Sequence, residues 1–147
     1  MSSNRTEFDL TDRATFSHWT TITLRYCDQD PMGHVNNCAI TAFIEASRTS
    51  FIYGLVEQAD MKGLEFVLAS ITIDFRRELL HPGEVDVGVR VIGVGNKSFS
   101  TGYGIFFKGE CVVTARCVSV FFDMETRVGI APPQSVREYL RAEMVRS

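Results

Sequence analysis

Apolar and polar residues alternate along most of this chain, and one long stretch breaks the alternation with a helical period. From His18 to Tyr26, the residues Ile22, Leu24 and Tyr26 alternate with Thr21, Thr23 and Arg25, the two-residue repeat of a half-buried strand. From Cys38 onward Ile40, Phe43, Ile44, Phe51, Ile52 and Leu55 recur at three- and four-residue steps. This stretch predicts a strongly apolar helix, with Gly54 as its only breaker.

Alternation resumes beyond a polar connector at 58–64. Phe66 to Arg77 places Val67, Ala69, Ile71, Ile73 and Phe75 on one face of a second strand, and His81, Pro82 and Gly83 make a turn. Val85, Val87, Val89 and Val91 then alternate with polar residues in a third strand whose valine face is buried. Gly93, Gly95 and Asn96 suit a hairpin, and Phe99, Thr101, Tyr103, Ile105 and Phe107 form one face of a fourth strand. Cys111 to Phe122 is apolar on both faces, as in a strand covered on two sides.

Short connections among the last four strands predict an antiparallel meander. A helix this apolar needs a curved sheet around it, so the pattern predicts an α+β fold with a central helix. Leu68, Phe106 and Phe121 fall on the outer face of that sheet. The polar, weakly patterned residues 1–17 read as a flexible arm that docks on a neighbouring subunit, and 18–131 as a single domain. Residues 132–147 form a peripheral amphipathic helix on that domain, opened by a Ser135–Glu138 capping box and carrying Val136, Tyr139, Leu140 and Met144 on one side.

Composition narrows the function. The 147-residue length fits one domain. A formal charge of -3 and a pI near 5.6 argue against a nucleic-acid partner. The N-terminus has no basic segment leading into an apolar run, and no apolar stretch approaches the ~20 residues that span a bilayer, so a cytoplasmic protein without a membrane partner is expected. Cys27, Cys38, Cys111 and Cys117 show no metal-ligand spacing. Cys111 and Cys117, on one strand at ~3.3 Å per residue, stand ~20 Å apart, so reduced thiols are expected.

The chemistry concentrates just before the helix, in RYCDQDPMGHVNN from Arg25 to Asn37. A polar loop running into a helix N-terminus offers backbone amides to an oxyanion or a polarised carbonyl. Gly33 would admit a ligand close to the main chain, and Asp30 would place a carboxylate beside it. From spacing alone Asp30 reads first as a turn or capping residue whose carboxylate bonds nearby amides.

Tyr26, Asp28, Asp30, Gly33, His34, Val35, Asn36 and Asn37, followed by Glu45 and Arg48 on the helix, resemble the 4-hydroxybenzoyl-CoA thioesterase and acyl-CoA thioesterase branch of the hotdog-fold superfamily. The resemblance runs from about Thr20 to Phe122. It implies a hotdog fold, hydrolysis of acyl-CoA thioesters with no metal or redox cofactor, and a homodimer or homotetramer whose sites form between subunits. In the resembling enzymes the carboxylate at Asp30 attacks the thioester or activates water, while amides near Gly33 to Val35 polarise the carbonyl.

Other residues keep two readings. Asn37 stands where some relatives carry a His and could orient water or cap the helix. His34 fits either a base or a hydrogen-bonded loop residue. Tyr26 could bond Asp30 or merely pack. Glu45 fits an ion pair with Arg48, although a second hotdog branch places its catalytic Glu on this helix. Lys97, Ser98 and Phe99 lie where relatives hold CoA phosphates, and Ile40, where many relatives have Tyr, would shape the acyl pocket. A non-catalytic acyl-CoA-binding module is the alternative from another class.

Overall fold

The structure, a computed structural model, describes residues 7–58 and 64–145. In chain order come β1 (His18–Thr23), α1 (Asn37–Gln58), β2 (Leu64–Phe75), β3 (Glu84–Val94), β4 (Ser98–Phe107), β5 (Glu110–Asp123) and α2 (Gln134–Val145). The polar connector expected at 58–64 falls largely outside the described residues. The strands make one antiparallel sheet in the order β1-β3-β4-β5-β2. Only β3, β4 and β5 form a meander. Contrary to expectation β2 does not pair with β3 but takes the far edge, beside β5, because α1 carries the chain across the sheet between β1 and β2.

The valines of β3 decide the register. Val85, Val87, Val89 and Val91 are all buried against α1, and each such side chain contributes about 1.5–3 kcal/mol when buried. A one-residue slip would turn all four outward, at about 6–12 kcal/mol, comparable with the whole stability of a domain. The predicted inner face of β4 is also found, with Phe99, Thr101, Tyr103 and Ile105 buried. In α1 the buried stripe is Ala39, Ile40, Phe43, Ile44, Ser47, Phe51 and Leu55, and the other side stays open through Ala42, Ala46, Thr49 and Tyr53. The sheet therefore covers less of the helix than its composition implied. These elements make the hotdog arrangement, a curved sheet around a central helix.

In β2 the face differs from expectation. A bulge between Leu68 and Ser70 shifts the register, so Leu64, Phe66 and Leu68 point inward before it and Ile71 and Ile73 after it. Val67 is exposed, and Leu68 and Phe121 join the inner core rather than the outer face. Phe106 does lie outside, in a second cluster with Leu10, Phe16 and Ile92.

The described part of the expected arm makes that second cluster. Leu10 and Phe16 lie on the outer face of the chain's own sheet rather than reaching for a neighbour. Gly88 and Gly104 make the approach possible: a Cβ on Gly88 would stand 2.5 Å from Phe16 Cγ, and one on Gly104 would stand 2.7 Å from the Leu10 carbonyl oxygen. Arg13 spans the edge of this cluster, 3.3 Å from Asp86 Oδ2 and with its guanidinium over the Trp19 ring. Arg90 donates to the carbonyls of Thr15 and Met144, both at 2.8 Å, which ties the arm and α2 to β3. Helix α2 begins at Gln134, placing Ser135 within the helix, and it buries Val136 and Leu140 completely in the core. It is a packed element and not a peripheral one.

Candidate active site

The loop before α1 is built on Asp28. Its carboxylate accepts from the Arg25 amide (2.8 Å) and guanidinium (2.9 Å), contacts that hold the carboxyl below its usual range. These bonds fold Tyr26–Asp28 into a 3-10 turn, so β1 stops at Thr23, short of the expected Tyr26. Tyr26 is consequently 81% exposed, with its ring edge-on to His81. It does not bond Asp30. The buried Asp28 also anchors the helix start, since its carbonyl accepts from the Asn36 amide at 2.8 Å.

Asn36 is the residue that caps α1. Its Oδ1 accepts from the Ala39 amide at 2.7 Å and its carbonyl accepts from Ile40. Asn37, expected as a possible cap, is instead the first helical residue and is exposed. With Ala39 capped, the amides of Asn37 and Cys38 are the first-turn donors that helical geometry leaves for a ligand.

Asp30 holds the loop together. Its Oδ1 accepts from the Met32 amide (2.9 Å) and the His34 amide (3.1 Å), while its own amide donates to the His34 carbonyl at 2.8 Å. Among the described residues Oδ2 takes no bond. Gly33 has φ +84°, a conformation that favours glycine, and donates to the Asp30 carbonyl at 3.0 Å. The Val35 amide donates to the Leu79 carbonyl at 2.8 Å. The amides of Gly33 to Val35, expected to polarise a substrate carbonyl, are therefore all engaged within the protein.

An open groove of about 320 Å³ lies beside this helix start. His34, Asn37 and Ile40 line one side, and Phe75, Arg76, Arg77 and Glu78 line the other. The His34 Nε2 stands 2.6 Å from Glu78 Oε1 across it. Nothing in the motif pointed to Glu78, which is brought in by the β2–β3 connection.

Two groups of expected site residues lie elsewhere. Glu45 is eight residues beyond Asn37, ~12 Å along the helix, and makes a two-pronged pair with the largely buried Arg48 at 2.9 and 3.3 Å. Arg48 also reaches Ser119 Oγ at 3.5 Å. The Lys97–Ser98 hairpin is at the opposite end of the sheet. Ser98 pairs with Val120 and Val120 with Val67, whereas the groove begins at Phe75, ~26 Å further along β2. Phe99 is in the core, 1% exposed, and not in a cleft. Among the described residues no three His, Cys, Asp or Glu side chains gather as a metal site, and no helix is long and apolar enough to cross a membrane.

The family profile of the thioesterase-like superfamily matches residues 24–140, which takes in the loop, the helix and the whole sheet from β2 onward. The chain belongs to the thioesterase-like superfamily. Solved proteins share the fold of this thioesterase-like chain. The PA5185 protein of Pseudomonas aeruginosa is 28% identical, with a TM-score of 0.74 over 89% of this chain and 94% of its own. A Thermus thermophilus thioesterase complexed with coenzyme A and Zn is 29% identical, with a TM-score of 0.73 over 86% of this chain and 98% of its own. The uncharacterized protein YsmA of Bacillus subtilis is 26% identical over 129 residues, 87% of this chain and 88% of YsmA.

Proposed function

We propose that this protein hydrolyses acyl-CoA thioesters, in the manner of the 4-hydroxybenzoyl-CoA thioesterase branch, with Asp30 as nucleophile or general base. The observation that carries this reading is the division of labour at Asp30. One carboxylate oxygen is held by two loop amides, the other is unbonded among the described residues, and the same loop ends at the first-turn amides of Asn37 and Cys38. A thioester carbonyl oxygen on those amides would have its developing charge stabilised as in an oxyanion hole. A thiol with an ordinary pKa of ~8.5 leaves without a strong general acid, so a carboxylate and an oxyanion site suffice. The coenzyme A in the Thermus relative supports the substrate class.

The working unit in this reading is a homodimer joined through β2. That strand is a sheet edge with exposed Val67 and Phe75, the kind of edge proteins cover. Antiparallel pairing of two β2 strands about a twofold axis sets the Leu64 end of one against the Phe75 end of the other. It would bring the partner's hairpin, with its Lys97 and Ser98 equivalents, toward the Asp30 loop, which one chain alone does not do.

The bonds to Met32 and His34 also suit an Asp30 that is purely structural, as in a non-catalytic acyl-CoA-binding module. Thiol release from short, medium, long and aromatic acyl-CoAs separates the two. Turnover of any member supports the hydrolase, and tight binding of acyl-CoA with no release replaces it by the module. Sedimentation of the wild type and of Val67→Lys tests the interface, with a dimer expected to become a monomer and a wild-type monomer refuting it.

A further inference from the structure

His34 and Glu78 come from segments 44 residues apart and meet at 2.6 Å on the groove that Asn37 also lines. Both are fixed from behind by main chain. Asp30 binds His34 at both its amide and its carbonyl, His34 forms a bridge with Leu80, and Leu79 accepts from Val35. A carboxylate only accepts hydrogen bonds, so Nε2 is the atom that donates to Glu78, and in the neutral ring Nδ1 is then the acceptor. The other charged groups near His34 are Asp30 in its own loop, whose Oδ1 accepts from the His34 amide, and Arg76 and Arg77, which line the same groove beyond the end of β2. Arg76 is turned to Thr114 and Arg77 to Glu110, which leaves Glu78 as the carboxylate that orients the ring.

We propose that Glu78 is a positioning residue that holds His34 as the base for the water step of hydrolysis. The inference rests on the thioesterase reading and specifies its route. Asp30 Oδ2 attacks the thioester carbon, a C–O bond forms, the C–S bond breaks and CoA leaves as thiolate. An acylated Asp30 cannot serve as base for its own release, so a second group must accept the proton of the incoming water. His34 Nδ1 takes that proton as the water oxygen bonds to the acyl carbon. The anhydride C–O bond to Asp30 then breaks, releasing the carboxylic acid and restoring the Asp30 carboxylate, and the imidazolium returns its proton to solvent. Thioester and water are consumed, and acid and thiol are formed.

The test follows thiol release on the millisecond scale and at steady state for the wild type, Glu78→Gln, Glu78→Asp, His34→Gln and the double variant. Glu78→Gln is expected to lower kcat on the order of 10- to 100-fold and to show a burst of about one thiol per active site, because acylation outruns the water step. Glu78→Asp should restore part of kcat. The double variant should be no slower than His34→Gln alone, since Glu78 acts through His34. Wild-type kcat without a burst in Glu78→Gln, or losses that multiply in the double variant, overturns the assignment while leaving the hydrolase intact. A wild type that releases no thiol from any acyl-CoA overturns the hydrolase reading, and the assignment with it.

Discussion

Replacing Asp30 by Asn and by Ala separates the loop-holding bonds of its carboxylate from the proposed reaction at its free oxygen. Asn keeps a carbonyl oxygen where Oδ1 accepts from the Met32 and His34 amides, so the loop retains both bonds, but it removes the free carboxylate oxygen. Ala removes both. Two hydrogen bonds at about 0.5–1.5 kcal/mol each put the stability cost of Asp30→Ala at about 1–3 kcal/mol. At about 2–4 °C per kcal/mol for a chain of this size, Tm should fall by about 2–12 °C, with Asp30→Asn near the wild type. Loss of the reacting carboxylate should lower kcat about 10²- to 10⁴-fold in both variants, or about 3–5 kcal/mol of barrier at 1.36 kcal/mol per tenfold. Calorimetry and thiol release on the same preparations read both quantities. If Asp30→Asn keeps its rate, the carboxylate is structural. Should it destabilise as much as Asp30→Ala, the division of labour between the two oxygens is wrong.

Three other outcomes follow from the packing. Glu45→Gln should keep kcat within a few-fold while lowering Tm, because it weakens the pair on a largely buried Arg48; loss of turnover with the fold intact would move the reacting carboxylate onto α1. Gly104→Ala should cost about 1–3 kcal/mol in chemical denaturation, since its Cβ would stand 2.7 Å from a main-chain oxygen, whereas Gly54→Ala, with nothing within 4 Å on a helix, should stabilise by up to about 1 kcal/mol. Equal effects at the two sites would refute the packing argument. Burial pushes the Cys117 thiol up to about 11, above the ~8.5 of an exposed thiol, so the folded state favours the neutral form. The stability this confers is present below about pH 8.5 and lost as pH rises toward 11, so the urea midpoint should decline across that window, and less so in Cys117→Ser. A wild-type midpoint that stays flat there would contradict the burial.

Much of the site was legible because its ligands are local. Asp28, Asp30, Gly33, Asn36 and the helix start lie within ten residues, and turn and capping chemistry acts over that range. The motif marked the loop that folds around Asp28 and Asp30, but not which of its amides are engaged. That depends on Leu79, whose carbonyl comes from a distant segment and occupies the Val35 amide. Glu78 was illegible for the same reason, as was the separation of Lys97 from Asp30, which is a matter of sheet order.

The period of the apolar residues was enough to specify five strands, the central helix and the valine face of β3, since side-chain direction in a regular element follows from spacing alone. Tertiary structure decided the rest. The bulge in β2 turned Leu68 inward, the β2–β5 pairing left β2 as the exposed edge, and the glycines of β3 and β4 drew Leu10 and Phe16 onto the chain's own sheet. Each outcome was settled by contacts between residues far apart in the chain, where the partner that makes a position buried or open is absent from its local sequence.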